Sequence, residues 1–398
     1  MRRLGPGVAV VAATAVDVGG LLVLRAATGW PVAVADAIAL AVAAPLSYVL
    51  HRATDRGADP FVRWVRDPAR FARVALVAGI VDVAVLQVLV VLVGDPTLLT
   101  LFGLKLVSVA VAALVRIVGH RRILLRAVQA DQAAPVARPP APGDRRLSVV
   151  LPSYRQADVV GDAVARVRAA LAPTLGAAEI EIVVVDDGSG DDTETRAEAA
   201  GADRVVVHPV NRGKGAAVRS GAAVARGCTV AFTDTDLAYD PAQLLALLAR
   251  VEAGWDVAVG SRRHTDAVTL VRARRVREVG GRFINLLTQA VLLGHYRDTQ
   301  CGLKALRSDV VPVVLGQGLV EGFAFDIELF HLVERNGLTL TEVPVQVANS
   351  EQSSVHVVRD GVRLVRDLFR IRRHAAAGRY SSDAGLPDPV PGGPGSVG

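Results

Sequence analysis

The first third of the chain alternates long apolar runs with short connections that carry arginines. The apolar runs cover residues 8–24, 32–50, 71–93 and 98–118. Each run is close to the length of about 20 residues with which an α-helix crosses a bilayer. The pattern therefore predicts four transmembrane helices, and because their number is even, both ends of this segment lie on the same side of the membrane.

The arginines orient the predicted spans. They precede the first span, fill the second connection and follow the fourth span, whereas the other two connections carry only Arg25 at a span edge. Positively charged connections stay in the cytoplasm. We therefore expect an integral protein of the plasma membrane with four spans, whose termini and remaining chain are cytoplasmic.

The four spans show the pattern of a duplicated helix pair. The segment Ala15–Val18 recurs as Ile80–Val83, with an aspartate at the third position of each, and alignment of the two pairs places Asp36 opposite Lys105. Ionisable residues within spans are costly and usually paired or functional. We predict an ion pair between Asp36 and Lys105; the alternative is that Asp36 lies near a span end and reaches the membrane surface.

Short apolar runs separated by helical periodicity follow a Pro-, Ala- and Arg-rich stretch at 128–146. The predicted strands are 147–151, 180–185, 204–207, 229–232 and 257–259, and the predicted helices are 158–171, 213–225 and 241–252. Alternating strands and helices favour a parallel sheet. The predicted organisation is a transmembrane domain (1–127), a semi-extended linker (128–146), an α/β domain (147–375) and a disordered tail (376–398).

The charge and the cysteine content of the chain limit the classes of partner and of metal site that we expect. The chain of 398 residues has a formal net charge of +6, but its arginines flank predicted spans and amphipathic segments instead of forming patches interleaved with aromatic residues. We therefore expect a membrane surface and no nucleic acid as the partner. Cys228 and Cys301 are far apart, which indicates neither a disulfide framework nor a zinc site.

Two carboxylates, Asp234 and Asp236, follow a predicted apolar strand directly. Mg²⁺ and Mn²⁺ take oxygen ligands and need only one or two protein carboxylates when a diphosphate supplies further oxygens. A turn or a helix cap is the alternative. Other polar motifs also follow predicted strands, where ligands of open α/β sheets bind. These motifs are Pro152-Ser153-Tyr154, Asp186-Asp187-Gly188-Ser189 and Asn211-Arg212-Gly213-Lys214-Gly215.

This set predicts a site for a nucleoside diphosphate. Asp186 is suited to accept a hydrogen bond from a base or ribose, and Gly213 and Gly215 let the backbone approach a diphosphate. Lys214, one of only three lysines, supplies a positive charge. The expected nucleotide-sugar site thus comprises Pro152, Tyr154, Asp186, Asp187, Gly213, Lys214 and Asp234, with Asp234 and Asp236 as metal ligands.

Residues 147–375 resemble the inverting glycosyltransferases of family 2, which have the GT-A fold. Within that family, three segments are similar to the dolichyl-phosphate β-glucosyltransferases: Arg297–Lys304, Phe323–Glu328 and Glu342–Val345. Ala238 also stands where mannosyl relatives tend to have glutamine. The four-span segment resembles the GtrA-like membrane proteins of polyprenyl-linked sugar metabolism. Arg155-Gln156 departs from the Asn-Glu of many relatives, which leaves the nucleotide open.

The resemblance implies inverting transfer of a sugar from a nucleotide sugar to a polyprenyl phosphate at the cytoplasmic membrane face. Glucose from UDP-glucose is favoured, mannose from GDP-mannose is the nearest alternative, and a non-enzymatic lipid-sugar flippase or scaffold is a further one. The acceptor phosphate is expected on Arg262, Arg277 and Arg282, because guanidinium groups bind phosphate bidentately. A homo-oligomer is left open.

Two further carboxylates, Asp298 and Glu328, are expected to hold sugar hydroxyls or an arginine of the acceptor site, with structural ion pairing as the alternative. Two amphipathic segments, 276–290 and 355–373, are predicted to lie at the bilayer surface. Basic amphipathic helices bind there.

Overall fold

The computed structural model describes residues 6–54, 67–132, 134–262, 292, 296–347 and 357–380. The chain divides into two compact units, Met1–Ala127 and Val128–Gly398. This boundary coincides with the predicted end of the transmembrane domain.

The first unit consists of helices, and those described are α1 (Pro6–Thr28), α2 (Val32–Thr54), α3 (Pro68–Val93) and α4 (Leu98–Asp131). All four are long and apolar enough to cross a membrane. Asp67 caps α3 by accepting a hydrogen bond from the Arg70 amide (3.0 Å), and Pro68 occupies the first helical position. The fourth helix continues thirteen residues past the predicted span end at 118. The basic residues there end the apolar run, but they are compatible with a helix.

Four buried charged side chains meet inside this bundle. The Lys105 ammonium lies 2.6 Å from Asp36 Oδ1, 2.6 Å from Asp82 Oδ2 and 3.1 Å from Asp17 Oδ2. The predicted ion pair between Asp36 and Lys105 is thus confirmed, and two further carboxylates that the sequence did not assign join it. We call Asp17, Asp36, Asp82 and Lys105 the carboxylate–lysine cluster.

The second unit is built on a seven-stranded mixed sheet. Its strands are β1 (Arg145–Ser153), β2 (Ile180–Asp186), β3 (Arg204–Val207), β4 (Gly227–Phe232), β5 (Val257–Ser261), β6 (Lys304–Arg307) and β7 (Leu340–Pro344). Their spatial order is β3-β2-β1-β4-β6-β5-β7, and β6 runs antiparallel to both of its neighbours. The prediction of a mostly parallel GT-A sheet is confirmed, whereas β6 and β7 were not predicted.

Helices cover both faces of the sheet. They are α5 (Val160–Leu175), α6 (Thr193–Ala199), α7 (Lys214–Val224), α8 (Leu244–Glu252), α9 (Val311–Val314), α10 (Phe325–Arg335) and α11 (Val357–Ala376). Helices α7, α10 and α11 share one hydrophobic core with the sheet, and α5 and α8 share the other. All of β2 is buried, as expected for a strand with helices on both sides.

Residues 136–142 of the predicted linker form a strap on the second unit. The Val136 amide donates to the Gly254 carbonyl (3.2 Å), and the Arg138 guanidinium binds both oxygens of Asp256 (2.9 and 3.4 Å). Arg307 donates to the Pro139 carbonyl (2.7 Å). These residues therefore belong to the second unit by their contacts.

The C-terminal helix α11 packs one face against the core of the second unit. Leu364, Leu368 and Ile371 are buried there, whereas Phe369 is 73% exposed, and the position of this segment at the bilayer surface stays a prediction. The other predicted amphipathic segment, 276–290, lies outside the described residues. The predicted start of a disordered tail at residue 376 is wrong, because Tyr380 is packed in the core with 2% exposure.

A histidine buried in α10 makes the stability of the second unit sensitive to acid. Burial, together with the charges of Arg372 and Arg335, lowers the pKa of His331 from 6.5 to about 3. Unfolding exposes the ring and restores its ordinary pKa. Between pH 6.5 and 3 the unfolded chain therefore binds a proton on His331 that the folded chain does not bind. This favours unfolding as the pH falls from 6.5 toward 3, by up to about 1.4 kcal/mol per pH unit.

We therefore expect His331→Leu to flatten the acid side of the stability profile. The measurement is urea unfolding of the purified protein, followed by tryptophan fluorescence at neutral pH and near pH 5. Wild type should lose more stability than the variant between the two conditions. Parallel losses would show that other groups control the acid sensitivity.

Candidate active site

The loop after β4 carries the two candidate metal ligands, and a buried threonine between them fixes it. The Thr235 hydroxyl donates to the Pro152 carbonyl (2.8 Å) and lies 2.9 Å from the Ser153 hydroxyl, both at the end of β1. Leu237, which follows Asp236 in this loop, has a φ of 46°. Positive φ is costly for a residue with a branched side chain and is concentrated at functional sites. The loop is thus held in one conformation at the carboxyl edge of the sheet.

Asp234 lies between a lysine and a glycine. Its carboxylate forms an ion pair with Lys214, the first residue of α7. A Cβ on Gly302 would lie 2.3 Å from Asp234 Oδ2, which is closer than atoms can approach. Glycine at 302 therefore makes room for the carboxylate, and this explains part of the Arg297–Lys304 motif in physical terms.

We expect Gly302→Ala to reduce activity about 10- to 100-fold, because the new methyl group must displace the Asp234 carboxylate from its position. Gly161→Ala on α5 is a matched control, since its Cβ would meet its nearest atoms at an ordinary 3.7 Å. The measurement is kcat/KM for sugar transfer by both variants. Full activity of Gly302→Ala would show that the exact position of Asp234 is unimportant.

Asp236 is exposed at the same loop and accepts a hydrogen bond from the Ala238 amide through Oδ1 (3.1 Å). Loss of hydration beside the neighbouring protein atoms and the charge of Asp234 raise the pKa of Asp236. Two carboxylates that repel each other at an accessible loop suit a divalent cation, which neutralises both and takes oxygen ligands. The residues present therefore fit Mg²⁺ or Mn²⁺.

Asp187 organises the glycine loop that precedes α7. It accepts hydrogen bonds from the amides of Arg212 (3.0 Å) and Gly213 (2.7 Å) and from His208 Nδ1 (2.6 Å). The other ring nitrogen of His208 lies 2.8 Å from the Ser220 hydroxyl on α7. Asp187 is thus a positioning residue for the loop, and the sequence did not signal the participation of His208 and Ser220.

Asp186 is engaged inside its own turn. Its Oδ1 accepts hydrogen bonds from both the amide (2.9 Å) and the hydroxyl of Ser189, and the residue is 3% exposed. The described contacts therefore give this oxygen a structural part. Contact between Asp186 and a base or ribose stays a prediction.

The glycines at 213 and 215 allow close packing of the loop against the chain before α10. A Cβ on Gly213 would lie 2.6 Å from the Glu321 carbonyl oxygen, and one on Gly215 would lie 2.6 Å from Phe325 Cβ. The Gly215 amide donates to the same carbonyl (2.8 Å). This packing places Lys214 at the start of α7, where the helix dipole adds to its positive charge.

Tyr154 and Gln156 extend the site beyond the end of β1. The Tyr154 ring is 41% exposed, and the Arg155 guanidinium lies 5.4 Å from its centre. The Gln156 amide donates to the Thr193 hydroxyl (3.2 Å), whereas its side-chain Oε1 is buried without a hydrogen-bond partner among the described residues. An exposed ring and an unpartnered acceptor are groups that a nucleobase can contact.

Asp298 fixes the guanidinium of Arg262 after β5. Arg262 donates through Nε to Oδ2 (2.6 Å), through Nη2 to Oδ1 (2.9 Å) and through its amide to Oδ2 (3.1 Å). Burial alone would raise the pKa of Asp298, but the bonds from Arg262 outweigh it and hold the pKa below its usual range. The structure shows Asp298 in an ion pair with an arginine, which fits both the predicted acceptor-site contact and the structural alternative, so its role stays a prediction. Arg277 and Arg282 lie outside the described residues.

Glu328 has its oxygens occupied by the protein. It accepts hydrogen bonds from the amides of Leu319 and Val320 (both 2.9 Å) and from the Tyr380 hydroxyl (2.7 Å), and it is 1% exposed. Burial raises its pKa despite these bonds. These contacts are hydrogen bonds from neutral donors, so they give Glu328 a structural part different from the ion pair of the alternative, while a contact with sugar stays a prediction.

Sequence reasoning missed a buried ion pair of a second lysine near the site. Lys304 is fully buried and donates to Asp326 Oδ1 and to the Cys301 carbonyl, each at 2.6 Å. This pair joins β6 to the first turn of α10. The scarcity of lysine was the available signal, since a chain with three lysines places two of them in or beside this site.

The mixed sheet with an Asp-x-Asp loop at its carboxyl edge is the arrangement that the GT-A fold predicts. Residues 148–314 match the model of glycosyl transferase family 2, and residues 7–125 match the GtrA/DPMS transmembrane domain. The chain therefore joins a family 2 glycosyltransferase domain to a GtrA/DPMS transmembrane domain, and both predicted resemblances are confirmed.

The similar curated proteins include glycosyltransferases and a polyprenol monophosphomannose synthase, by their names. Glycosyltransferase AglD of Haloferax volcanii is 33% identical, over 56% of this chain and 36% of its own length. Dolichyl-phosphate beta-glucosyltransferase of Drosophila melanogaster is 33% identical, over 48% of this chain and 62% of its own length. Polyprenol monophosphomannose synthase of Mycolicibacterium smegmatis is 29% identical, over 61% of this chain and 91% of its own length. The chain thus spans less than two thirds of the first two relatives.

Among solved structures, the chain is similar to glucosyl-3-phosphoglycerate synthase from Mycobacterium tuberculosis in complex with Mn²⁺, UDP and glucosyl-3-phosphoglycerate. That chain is 23% identical, with a TM-score of 0.45, over 64% of this chain and 83% of its own length.

Proposed function

We propose that the protein transfers a sugar from a nucleotide sugar to a polyprenyl phosphate, with inversion at the sugar carbon. The observation that carries this proposal is the group formed by Asp234, Asp236 and Lys214 at the carboxyl edge of the sheet. UDP-glucose is the proposed donor, and GDP-mannose is the alternative. Relatives named for glucosyl transfer and for mannosyl transfer both support a lipid-phosphate acceptor.

The residues at the sheet edge divide the task of holding the donor. Asp234 and Asp236 would hold Mg²⁺ or Mn²⁺, which would neutralise the charge of the departing nucleoside diphosphate. Lys214, whose ammonium forms an ion pair with Asp234, adds a positive charge at the start of α7. Tyr154 and Gln156 offer a ring face and a hydrogen-bond acceptor to the base. These groups orient the donor and stabilise its leaving group before the acceptor arrives.

Arg262 is suited to receive the acceptor phosphate. Asp298 holds two of its donors, and 42% of the side chain is exposed, so the remaining face of the guanidinium is accessible. An arginine held in place loses little freedom when it binds a phosphate. Because a phosphate is already anionic at neutral pH, its attack on the sugar carbon needs no strong general base. Arg277 and Arg282 remain proposed partners in this role.

The proposed orientation places the glycosyltransferase domain in the cytoplasm, where nucleotide sugars are made. It is supported by the arginines before α1, between α2 and α3 and along the end of α4. Exposed Phe369 lies between Arg366 and Arg370 on α11, as in helices that bind at bilayer surfaces.

The test is a transfer assay with the purified full-length protein. UDP-glucose, GDP-mannose and UDP-N-acetylglucosamine, each radiolabelled in the sugar, are incubated with undecaprenyl or decaprenyl phosphate, with and without Mg²⁺ or Mn²⁺. We expect metal-dependent label in the lipid phase from UDP-glucose. Label from GDP-mannose alone would establish the alternative donor, and no lipid labelling from any donor would contradict the proposed activity.

A further inference from the structure

The carboxylate–lysine cluster lies deep within the predicted membrane spans. Asp17 stands eleven residues from either end of α1, which corresponds to about 16 Å along the helix axis in each direction. The hydrocarbon core of a bilayer is about 30 Å thick. The cluster is therefore placed near the middle of the span, out of reach of bulk water.

The lysine uses all of its donors within the cluster. An ammonium group carries three hydrogens, and the three carboxylates of Asp17, Asp36 and Asp82 each place one oxygen within 2.6 to 3.1 Å of Lys105 Nζ. Lys105 therefore has no donor left for the second oxygen of any carboxylate.

Those second oxygens are orphaned. Among the described residues, nothing donates a hydrogen bond to Asp17 Oδ1, Asp36 Oδ2 or Asp82 Oδ1, and each atom is buried. The three residues are 4%, 0% and 0% exposed, and one oxygen from each lies within 4.8 Å of the others. A buried acceptor without a donor is costly, and a buried charge without compensation is more so.

The charges of the cluster do not balance. Three carboxylates face one ammonium, which leaves two negative charges uncompensated. Within the described helices the nearest cations along the chain are Arg25 on α1, Arg73 on α3 and Arg116 on α4, about 12, 14 and 16 Å along their helices from the cluster residues. Ionisable groups that cannot find a counter-charge in a low-dielectric environment become neutral by changing protonation.

We propose that the carboxylate–lysine cluster is a proton-binding centre that holds two protons at neutral pH. Each proton forms an O–H bond with an orphaned carboxylate oxygen and can be shared with a neighbouring carboxylate, so that the cluster as a whole is neutral. Asp17 and Asp82 occupy equivalent positions in the two helix pairs. Asp36 and Lys105 also occupy equivalent positions, but one is an aspartate and the other a lysine. The cluster therefore has three carboxylates and one ammonium, and two protons neutralise it. This inference is independent of the proposed sugar transfer.

The test is infrared spectroscopy of the full-length protein in lipid nanodiscs, which detects the carbonyl stretch of protonated carboxylic acids. Neutralising the cluster requires two protons in wild type, one in Asp82→Asn, none in Asp17→Asn/Asp82→Asn and three in Lys105→Met. Relative to wild type, we expect the band at neutral pH to fall by half in Asp82→Asn, to disappear in Asp17→Asn/Asp82→Asn and to rise by half in Lys105→Met. Asp95→Asn, an exposed aspartate between α3 and α4, is the matched control and should leave the band unchanged.

Wild-type protein labelled with carboxyl-¹³C aspartate provides a readout that no folding defect can obscure. The band should shift with the label at neutral pH and should be lost under alkaline conditions. Absence of a labelled band at neutral pH would overturn the proposal. Loss of the band on adding Na⁺ at constant pH would also overturn it, because the cluster would then prefer a metal cation to protons.

Discussion

Replacing Asp236 with asparagine is expected to reduce sugar transfer about 100- to 1,000-fold. Asparagine keeps the shape of the side chain and can still accept the hydrogen bond from the Ala238 amide. It removes the negative charge at position 236, which repels the neighbouring Asp234 carboxylate and would be a ligand charge for the cation. If the two carboxylates hold a divalent cation, the variant should also require a higher concentration of Mg²⁺ or Mn²⁺ for its residual activity.

Asp240→Asn is the matched control for this variant. Asp240 lies on the same connection, and its Oδ1 accepts a hydrogen bond from the Ala242 amide, a capping role that asparagine also fills. The control should retain wild-type activity. The measurement is the initial rate of lipid labelling across a metal titration, together with growth complementation of a strain that lacks the protein. Equal complementation by Asp236→Asn and wild type would favour the flippase or scaffold alternative.

Reversing the charge of Lys105 is expected to be the most damaging change in the membrane unit. Lys105→Asp would place four carboxylates together in the bundle without a cation. Removing one partner of a buried ion pair costs about 3–5 kcal/mol. Lys105 is fully buried and contacts three carboxylates, so we expect the variant to lose most of its folded, monodisperse protein after detergent extraction.

Asp36→Lys should rescue this variant. Asp36 and Lys105 occupy equivalent positions in the two helix pairs, so the exchange returns one lysine and three aspartates to the cluster with the two positions swapped. Thermal stability in detergent, measured for both single variants and the double variant, checks the rescue. A double variant no more stable than Lys105→Asp would mean that the two positions are not interchangeable.

The sequence predicted the core strands because their apolar runs are continuous, but it missed β6. This strand has only four residues, begins with Lys304 and ends with Arg307, and it runs antiparallel in a mostly parallel sheet. Lys304 can be buried because Asp326, 22 residues further along the chain, neutralises it. No local pattern reports a partner at that distance.

The candidate site shows the same limit. Its position at the carboxyl edge of the sheet followed from motifs at the ends of predicted strands. The sequence did not show which carboxylates face the solvent and which are used by the protein itself. Asp187 and Glu328 accept hydrogen bonds from backbone amides, which lie 26 residues away for Asp187 and 8 or 9 residues away for Glu328. In the membrane unit, duplication predicted one ion pair, but only helix packing brings Asp17 and Asp82 to the same lysine.

The strap at residues 136–142 sets where the glycosyltransferase domain can be separated from its anchor. A soluble version that begins at β1 would remove Arg138 and leave the Asp256 carboxylate, which is fully buried, without its guanidinium. It would also expose the backbone at Gly254 that the Val136 amide now covers. An exchange of domains between related proteins should therefore transfer residues 136–142 together with the sheet, because the two form one structural unit.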